Sequence, residues 1–218
     1  MPFAIHYQPL GDSALNIQFG DQIDPDINQR VHAFAEAIQR EPLNGIIECV
    51  PTYCALLIHY DPLRLTYQEL TSHLNTLPIT HHPFGSRITP PRLIEIPTSY
   101  DGEDLDFVAQ HNHLSIQDVI HIHSQTEYRV YMMGFTPGFA YMGELDPRLV
   151  TPRLDSPRKL VRAGSVGIAG EQTGIYPIDS PGGWRLIGRT ETQLFNLDRD
   201  PPFLFAHNDR VRFVDVGS

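Results

Sequence analysis

The side chains best suited to chemistry in this chain are concentrated between His123 and Thr190. Neutral hydrogen-bonding groups and aromatic rings alternate there with proline and with most of the 16 glycines of the chain. Glycine allows close backbone approach and proline fixes φ, so this composition predicts β-strands joined by tight, shaped loops. One group of residues here suits either a site for a small polar molecule or a core with internal hydrogen-bond partners. This group is Gln172, Thr173, Tyr176 and Trp184.

Histidine is the natural acid–base candidate, and the chain contains 11. His123 stands at the predicted end of a helix just before the glycine-rich stretch, where a neutral imidazole can exchange protons near neutral pH. The alternative is a helix-end histidine without a chemical role. His121 and His123 lie two residues apart in a helix, so their side chains diverge, and no metal-ligand spacing follows. No structural metal is therefore expected from His81, His82, His111, His113, His121 and His123.

Motifs for covalent catalysis and phosphate binding are absent from the sequence. Ser165 lacks the Gly-x-Ser-x-Gly spacing of a nucleophile elbow, and no Walker A or dinucleotide-binding glycine pattern occurs. Cys49 and Cys54 suggest a disulfide or half a metal site. Free cysteine usually behaves as a small buried hydrophobic residue, so we expect two buried thiols.

Positive charge is scarce, since 16 Lys and Arg stand against 26 Asp and Glu, for a formal net charge of −10. This balance argues against binding nucleic acid or an anionic membrane surface. Several cations nevertheless share one short stretch, where they either bind a carboxylate or phosphate or balance Asp146 and Asp155 in a solvated loop. These cations are Arg148, Arg153, Arg158, Lys159 and Arg162.

The expected location is the cytoplasm. No apolar run approaches the ~18 residues of a membrane-spanning helix. The N-terminal residues lack the basic start and apolar core of a signal peptide.

The elements that would position these side chains begin with a small α/β domain at residues 1–80, of ferredoxin-like layout. Asp24 can cap a helix with Pro25 at its first position, and a second helix is predicted to begin at Thr66. The apolar face of the first helix comprises Ile27, Val31, Phe34 and Ile38. The predicted strands are Phe3–Gln8, Ala14–Phe19, Ile46–Val50 and Cys54–Tyr60.

A linker is predicted at residues 79–91, because turn-forming residues accumulate there without periodicity. The second domain, residues 91–218, contains a helical segment at Leu105–Gln125 with a capping box that begins at Ser115. Short strands broken by glycine and proline then predict a closed or nearly closed β-barrel. Further strands are predicted at Leu93–Pro97 and in a terminal hairpin formed by Phe203–Ala206 and Val211–Val216.

Five blocks of sequence resemble one known family in order along the chain. They are His-Ser-x-x-Glu-Tyr at 123–128, Gly-Phe-x-Pro-Gly-Phe-x-Tyr at 134–141, Ala-Gly-Ser-Val-Gly-Ile-x-Gly at 163–170, Gln-Thr-Gly-Ile-Tyr-Pro at 172–177 and Ser-Pro-Gly-Gly-Trp-x-Leu-Ile-Gly at 180–188. Together they are similar to the bacterial 5-oxoprolinase B-subunit family, also called the KipI-like or allophanate-hydrolase-subunit-1-like family. Met142 and Ala169 are mild departures from the leucine and glycine usual in that family.

The resemblance implies an α+β protein: a small α/β domain followed by a cyclophilin-like, carboxyltransferase C/D-type β-barrel. Prolyl isomerisation is not implied. The implied partners are the KipA-like C subunit of 5-oxoprolinase together with its A subunit, with which this chain opens 5-oxoproline to L-glutamate. ATP is implied as a cofactor bound in the complex with Mg, with no metal or biotin on this chain. We expect the chain to be inactive alone.

A reaction of this kind needs positioning and charge stabilisation more than a nucleophile. Our hypothesis assigns His123 and Gln172 as the catalytic residues that polarise or position the substrate. Arg153 and Arg162 would face a carboxylate or a transferred phosphate. The other predicted substrate-binding residues are Thr173, Tyr176 and Trp184.

Two other functions stay open on the sequence. The first is a KipI-like inhibitor of a sensor histidine kinase, which would use exposed apolar residues. The candidates for partner binding are Phe135, Phe139 and Tyr141. The second is a carboxyltransferase-type component that acts on another small amide, although the chain contains no biotinyl Ala-Met-Lys-Met motif.

Overall fold

The computed structural model describes residues 5–77 and 91–217 and divides the chain into two compact units, Met1–Thr89 and Pro90–Ser218. The predicted linker, except for residue 91, and the pair His81-His82 lie outside the described residues. Within the described residues, no helix combines the length and the apolar character needed to cross a bilayer.

The first unit contains one antiparallel sheet in the order β1-β2-β4-β3. Alternation along the strands directs one set of apolar side chains toward the helices, where Leu15, Ile17, Leu56 and Ile58 are completely buried. The strands are β1 His6–Leu10, β2 Ala14–Gln18, β3 Ile46–Pro51 and β4 Ala55–Tyr60.

Two helices, α1 at Pro25–Arg40 and α2 at Tyr67–Thr76, pack on this sheet. The Asp24 carboxylate accepts hydrogen bonds from two backbone N–H groups of the first turn of α1. Thr66 forms a capping box that starts α2. Both predicted helix starts are confirmed, and so is the predicted apolar face of α1, whose members are all buried.

The second unit is a mixed, nearly closed barrel. Its seven-stranded sheet has the order β12-β9-β10-β7-β6-β13-β5, and the two edge strands meet at a bridge between Ser99 and Arg189. Two reciprocal backbone hydrogen bonds of 2.9 and 2.8 Å form that bridge. A separate two-stranded sheet pairs β11 with β8. The strands are β5 Leu93–Thr98, β6 Glu127–Met133, β7 Ala140–Gly143, β8 Arg158–Val161, β9 Ser165–Ala169, β10 Gln172–Ile175, β11 Ser180–Gly182, β12 Arg185–Arg189 and β13 Arg210–Asp215.

Helices α3 at Leu105–His111 and α4 at Ile116–Gln125 contact the barrel strands. The predicted capping box is present, because Ser115 and Asp118 exchange hydrogen bonds at the start of α4. One apolar core runs from these helices into the barrel interior. A 3₁₀ turn at Pro147–Leu149 completes the helical elements.

The predicted terminal hairpin is wrong. Phe203–Ala206 forms no strand and makes only an isolated bridge, between Phe203 and Phe195. Strand β13 instead pairs parallel with β5 and antiparallel with β6. Placing β13 between these two strands satisfies both of its edges and buries Val211 and Phe213 in the barrel core, which a hairpin partner on one side alone would not do.

Candidate functional site

His123 lies inside the barrel, where it is completely buried. Its Nδ1 is 2.8 Å from the Tyr100 hydroxyl, and its Nε2 is 2.9 Å from Oγ1 of Thr173. Thr173 donates its own proton to the Gly167 carbonyl oxygen at 3.0 Å, so it must accept from Nε2–H. Nδ1 then accepts from Tyr100. Both ring nitrogens are therefore committed to protein partners.

Burial lowers the pKa of His123 to about 3, because a charged imidazolium would lose its hydration in this interior. The rings of Phe213 and Tyr128 pack against the imidazole with centroid distances of 4.5 and 5.1 Å. At neutral pH the uncharged ring connects Tyr100 to Thr173 of β10 through its two hydrogen bonds. The position that sequence reasoning proposed for acid–base chemistry offers no nitrogen for a bound molecule.

Gln172 faces the opposite side of the same sheet. Thr173 pairs with Met142 of β7, and both side chains point into the barrel. Side chains alternate along a strand, so Gln172 and Tyr141 both point to the outer face. Gln172 is only 8% exposed, and its Nε2 has no hydrogen-bond partner among the described residues. A buried amide donor without a partner is rare in folded proteins.

Aromatic rings cover the neighbouring part of that outer face. Trp184 meets Phe139 and Tyr141 edge-on, with ring centroids 5.4 and 5.9 Å apart. Phe139 also contacts Tyr176 at 5.5 Å. The Trp184 ring lies over Gly174, where a Cβ would approach it to 3.2 Å, so the absence of a side chain on β10 makes room for the indole.

Arg153 supplies the positive charge of this face. Burial raises the pKa of both Tyr141 and Tyr176, and the charge of Arg153 opposes that rise at each hydroxyl. The backbone beside Arg153 is bound next to Trp184, because the Leu154 N–H donates to the Gly183 carbonyl oxygen at 2.8 Å. Arg153 is exposed and makes no ion pair within residues 5–77 and 91–217. We call Tyr141, Arg153, Gln172 and Trp184 the outer-face site.

Three other cations of the predicted basic stretch, Arg148, Arg158 and Arg162, have carboxylate partners. Arg162 pairs with Asp179 at 2.6 Å and is 75% exposed, which makes this a solvated ion pair outside the outer-face site. Arg148 pairs with Asp146 at 2.8 Å. Of the two arginines predicted to face a substrate anion, the structure leaves Arg153 available and engages Arg162.

Sequence reasoning missed Asp104, a buried carboxylate that binds Arg158, the residue that in turn contacts the backbone of Trp184. It accepts hydrogen bonds of 2.7 Å from the Leu186 backbone N–H and from Arg158, and Arg185 approaches it at 3.4 Å. Arg158 also donates to the Trp184 carbonyl oxygen. In sequence Asp104 looks like a cap for α3, yet its side chain makes no cap hydrogen bond. No local pattern points to its distant partners.

The predicted partner-binding aromatics fall into different environments. Phe135 is 60% exposed and has φ of 70°, whereas Phe139 is buried among the outer-face rings. Tyr141 is half-buried and belongs to the outer-face site. Of the three, Phe135 offers the most surface to another protein.

Neither cysteine is arranged for metal binding or nucleophilic attack. Cys49 and Cys54 are free and half-buried, less buried than expected. Burial raises the pKa of Cys49 to about 11, which keeps it a thiol at neutral pH. In the part of the chain that the structure describes, no cluster of three or more His, Cys, Asp or Glu side chains is placed to hold a metal ion.

Comparison with known proteins agrees with this architecture. The carboxyltransferase domain, subdomain C and D, matches residues 5–205. The 5-oxoprolinase B subunit of Bacillus subtilis (strain 168) is 42% identical over 232 residues, which cover 97% of this chain and 94% of that protein.

Solved structures show the same fold. The structure of TTHA0988 superposes with a TM-score of 0.81 at 41% identity, covering 94% of this chain but 40% of that one, so this chain spans less than half of it. The K. lactis urea amidolyase, with a TM-score of 0.80 and 22% identity, matches 98% of this chain and 15% of its own length, and shows the fold alone. The family resemblance predicted from the five sequence blocks is confirmed. This chain matches carboxyltransferase subdomains C and D, and it belongs to the 5-oxoprolinase B-subunit family.

Proposed function

We propose that this chain is the B subunit of an ATP-dependent 5-oxoprolinase, which together with the A and C subunits opens 5-oxoproline to L-glutamate. The observation that carries this proposal is the 42% identity to a 5-oxoprolinase B subunit over 97% of the chain. The chemistry of the outer-face site agrees with it, because a neutral amide, a free cation and aromatic walls suit a small, uncharged ring that bears a carboxylate.

Opening a lactam needs a water molecule and activation of a stable amide, and ATP supplies that activation when it is bound in the complex. This chain would contribute binding and orientation. Gln172 would hold the substrate as the catalytic residue, while His123 would act from inside the barrel through Thr173 as a positioning residue. Tyr176 and Trp184 would form the walls, and Arg153 would hold the anion.

The helix N-termini among the described residues do not suit the phosphates of ATP. Phosphates commonly bind the N-termini of helices, but each of the four α-helices in the described residues has a carboxylate at that end. Those carboxylates belong to Asp24, Glu69, Asp104 and Asp118. We therefore place ATP and its Mg on the partner proteins of the complex and derive no step through them on this chain.

We also propose a specific architecture for each of the two units. In the first unit β4 lies between β2 and β3, which α1 connects, so these elements form a split βαβ motif. With β1 next to β2, this sheet order supports our proposal of a circularly permuted ferredoxin-like fold for the first unit. We assign the second unit as a cyclophilin-like barrel, and the complex to the cytoplasm.

The direct test measures ATP-dependent glutamate release from 5-oxoproline by the chain alone, by the A and C subunits without it, and by the full mixture. We expect release only in the full mixture, where all three proteins are present. Release by the A and C subunits at the same rate without this chain would contradict the proposal.

A second candidate function, inhibition of a sensor histidine kinase, is favoured by one observation, the exposure of Phe135. Inhibition would require a protein-binding surface and no bound substrate. Autophosphorylation of such a kinase in the presence of wild-type chain and of a Phe135→Ala variant measures it. Inhibition that disappears in the variant, together with no glutamate release from the complete mixture, would replace the enzymatic proposal.

A further inference from the structure

We propose that the C subunit of the proposed 5-oxoprolinase docks on one apolar surface of the barrel unit, which we call the phenylalanine surface. This surface consists of Phe135, Phe195 and Phe203 together with Pro177. The C subunit would cover it with an apolar pocket that has lysine or arginine at its rim. The inference deepens the proposed function and rests on it for the identity of the partner.

Phe135 is presented by a strained turn in the loop that joins β6 to β7. The Thr136 N–H donates to the Gly134 carbonyl oxygen at 2.9 Å across Phe135, whose φ is 70°. A hydrogen bond from residue i+2 back to residue i, with φ near +75° between them, defines a γ-turn of the rare, strained kind. A large aromatic residue is uncommon in such a conformation. Strain of this sort clusters at sites that bind other molecules.

The rest of this loop is fixed by its own hydrogen bonds. The Phe139 N–H donates to the Thr136 carbonyl oxygen at 3.0 Å around Pro137 and Gly138, and Gly138 has φ of 86°. Proline followed by a glycine at positive φ is the residue pattern of a type II turn. The Gly134 N–H closes the loop on the Phe139 carbonyl oxygen at 3.1 Å. The backbone that carries Phe135 is therefore held in place on both sides.

The Phe135 ring is also supported from below. It meets the buried rings of Phe139 and Tyr176 edge-on, with centroids 5.6 and 6.5 Å away. A partner would therefore bind a ring whose position is already fixed. Binding to a fixed side chain loses less conformational entropy than binding to a mobile one.

Gly138 brings the other members of the phenylalanine surface to the same place. A Cβ at Gly138 would lie 2.9 Å from the Phe195 Cβ and 3.3 Å from the Pro177 Cβ, so the loop packs directly on both residues. Phe195 stacks on Phe203 with ring centroids 5.4 Å apart. Phe135 is 60% exposed and Phe203 is 39% exposed. Exposed apolar side chains that lie together mark a surface for another protein.

The segment at residues 191–203, which carries two rings of the phenylalanine surface, is acidic. Its three carboxylates stand against one cation, Arg199, which donates to four backbone carbonyl oxygens of its own segment. The carboxylates are exposed and form no ion pair within the described residues. They belong to Glu191, Asp198 and Asp200. The complementary rim on a partner is therefore basic.

A second copy of this chain fits the phenylalanine surface poorly. Each copy has a formal net charge of −10, and symmetric contact through this surface would bring two acidic segments together. A partner of different sequence avoids that repulsion. The TTHA0988 chain, of which this chain matches 40%, carries more than half of its length outside this fold, so a relative joins the fold to further protein. We assign the corresponding place beside this chain to the C subunit.

The test measures, by calorimetry, the affinity of the purified C subunit for the full-length chain and its variants. Phe135→Asn removes the ring and keeps a residue that tolerates positive φ, and Phe203→Ala removes a second ring. We expect each variant to weaken binding by about tenfold or more. Leu63→Ala, at a 95% exposed position of the first unit, is the control and should bind as the wild type does. Unchanged affinity of both phenylalanine variants, or no binding of the C subunit by the wild type, would overturn the inference.

The basic rim has its own variant. Replacement of both Asp198 and Asp200 by Asn should slow association with the C subunit and make the affinity less dependent on salt concentration. A rate and a salt dependence identical to those of the wild type would overturn the basic rim.

Melting temperatures separate docking from folding. Phe135 and Phe203 are exposed, so both variants should melt close to the wild type while they lose affinity. A large fall in the melting temperature of Phe203→Ala leaves Phe135→Asn to decide, because its ring is the more exposed. Lost affinity accompanied by a large loss of stability in both variants would assign the rings to the fold and overturn the inference.

Other occupants of the phenylalanine surface would give different results. A wild-type chain that sediments as a dimer, with Phe135→Asn as a monomer, would assign the surface to a second copy. Loss of binding to a sensor histidine kinase in Phe135→Asn, with full affinity for the C subunit, would assign it to the kinase. Either result would overturn the inference.

Failure of this inference differs from failure of the proposed function. Glutamate release by the complete mixture, with both phenylalanine variants binding the C subunit as tightly as the wild type, would keep the function and overturn the docking surface. Weaker binding of the C subunit by both variants, with no glutamate release from the wild-type mixture, would keep the surface and overturn the proposed reaction.

Discussion

The Nε2 atom of His123 lies 2.9 Å from Oγ1 of Thr173, so an imidazole on α4 holds β10 from inside the barrel at the residue next to Gln172. Tyr100 holds the other ring nitrogen at 2.8 Å. The inner face of β10 is thus fixed by polar bonds while its outer face carries the candidate ligand-binding amide. Positioning and recognition are divided between the two faces of one strand.

Replacing Thr173 by valine should destabilise the barrel. Valine has a similar volume, but it leaves both His123 Nε2–H and the Gly167 carbonyl without the hydroxyl, and each unsatisfied buried group costs about 1–3 kcal/mol. We expect a loss of about 2–3 kcal/mol in urea unfolding followed by Trp184 fluorescence. Thr173→Ser keeps the hydroxyl and should lose about 1 kcal/mol or less. Equal losses in both variants would show that the methyl group, and not the hydrogen bonds, matters here.

The stability of the barrel unit should fall in mild acid because of His123. In the unfolded chain a histidine takes up a proton below pH about 6.5, whereas in the folded protein burial lowers the pKa of His123 to about 3. Between these values the unfolded state binds more protons, so stability rises with pH. It is complete above pH about 6.5 and is lost progressively as the pH falls toward 3, by up to about 1.4 kcal/mol per pH unit.

A comparison at two pH values isolates this contribution. The difference in unfolding free energy between pH 7.5 and 5.0 should be smaller by about 2 kcal/mol in His123→Gln than in the wild type. The same substitution at His111, on the exposed side of α3, should leave the difference as it is. An unchanged difference in His123→Gln would show that the imidazole is protonated without loss of the fold.

Removal of the Asp104 carboxylate should be among the most damaging single changes. Asp104 is buried, bonds the Leu186 backbone N–H, and neutralises the partly buried Arg158 and Arg185. Breaking a buried pair leaves charge without compensation, and we expect Asp104→Ala to lose about 3–5 kcal/mol. Chemical denaturation measures the loss. Arg162→Ala, which breaks the exposed pair with Asp179, should cost under about 1 kcal/mol, and comparable effects of the two variants would contradict this view.

Substitution of Phe135 should weaken association with a partner subunit much more than it changes the stability of the fold. A bulky side chain at φ of 70° is strained, and most of its surface faces solvent. Phe135→Gly relieves that strain but loses the edge contact with Phe139, so stability should change by at most about 1 kcal/mol. Affinity for the C subunit of the proposed complex, measured by calorimetry, should fall at least tenfold if Phe135 is an interface anchor.

The matched control for this experiment is Leu197→Ala, which removes another highly exposed apolar side chain from the same unit, 81% exposed. It should leave the association unchanged. Equal affinity of the wild type and Phe135→Gly for the C subunit would show that Phe135 is not an interface residue. The positive φ of Phe135 would then have no role in association.

Local signals made the helices predictable. Asp24, Thr66 and Ser115 each satisfy backbone N–H groups within three residues, so the short sequence around each one contains the full cause of the helix start. The period-two pattern of the first four strands is similarly local. These elements are predictable because the interactions that stabilise them lie within a few residues, although β1 extends to Leu10, two residues beyond its predicted end at Gln8.

The site depended on distant contacts, and sequence reasoning reached it only in part. His123 gains its role from Tyr100, 23 residues away, and Thr173, 50 residues away, so its burial has no local signature. The terminal hairpin failed for the same reason, because β13 pairs with β5 instead of with its sequence neighbour. The family-like blocks contain Tyr141, Gln172 and Trp184, but the division between the inner and outer faces of the sheet required the register of β10.

Pairing of β5 with β13 also sets when the barrel can form during synthesis. The first strand of the unit, Leu93–Thr98, has as its parallel neighbour Arg210–Asp215, more than a hundred residues later in the sequence. In a nascent chain on the ribosome, β5 therefore has no neighbouring strand until β13 has emerged. The first unit, whose strands all pair within its own sequence, can fold well before that moment.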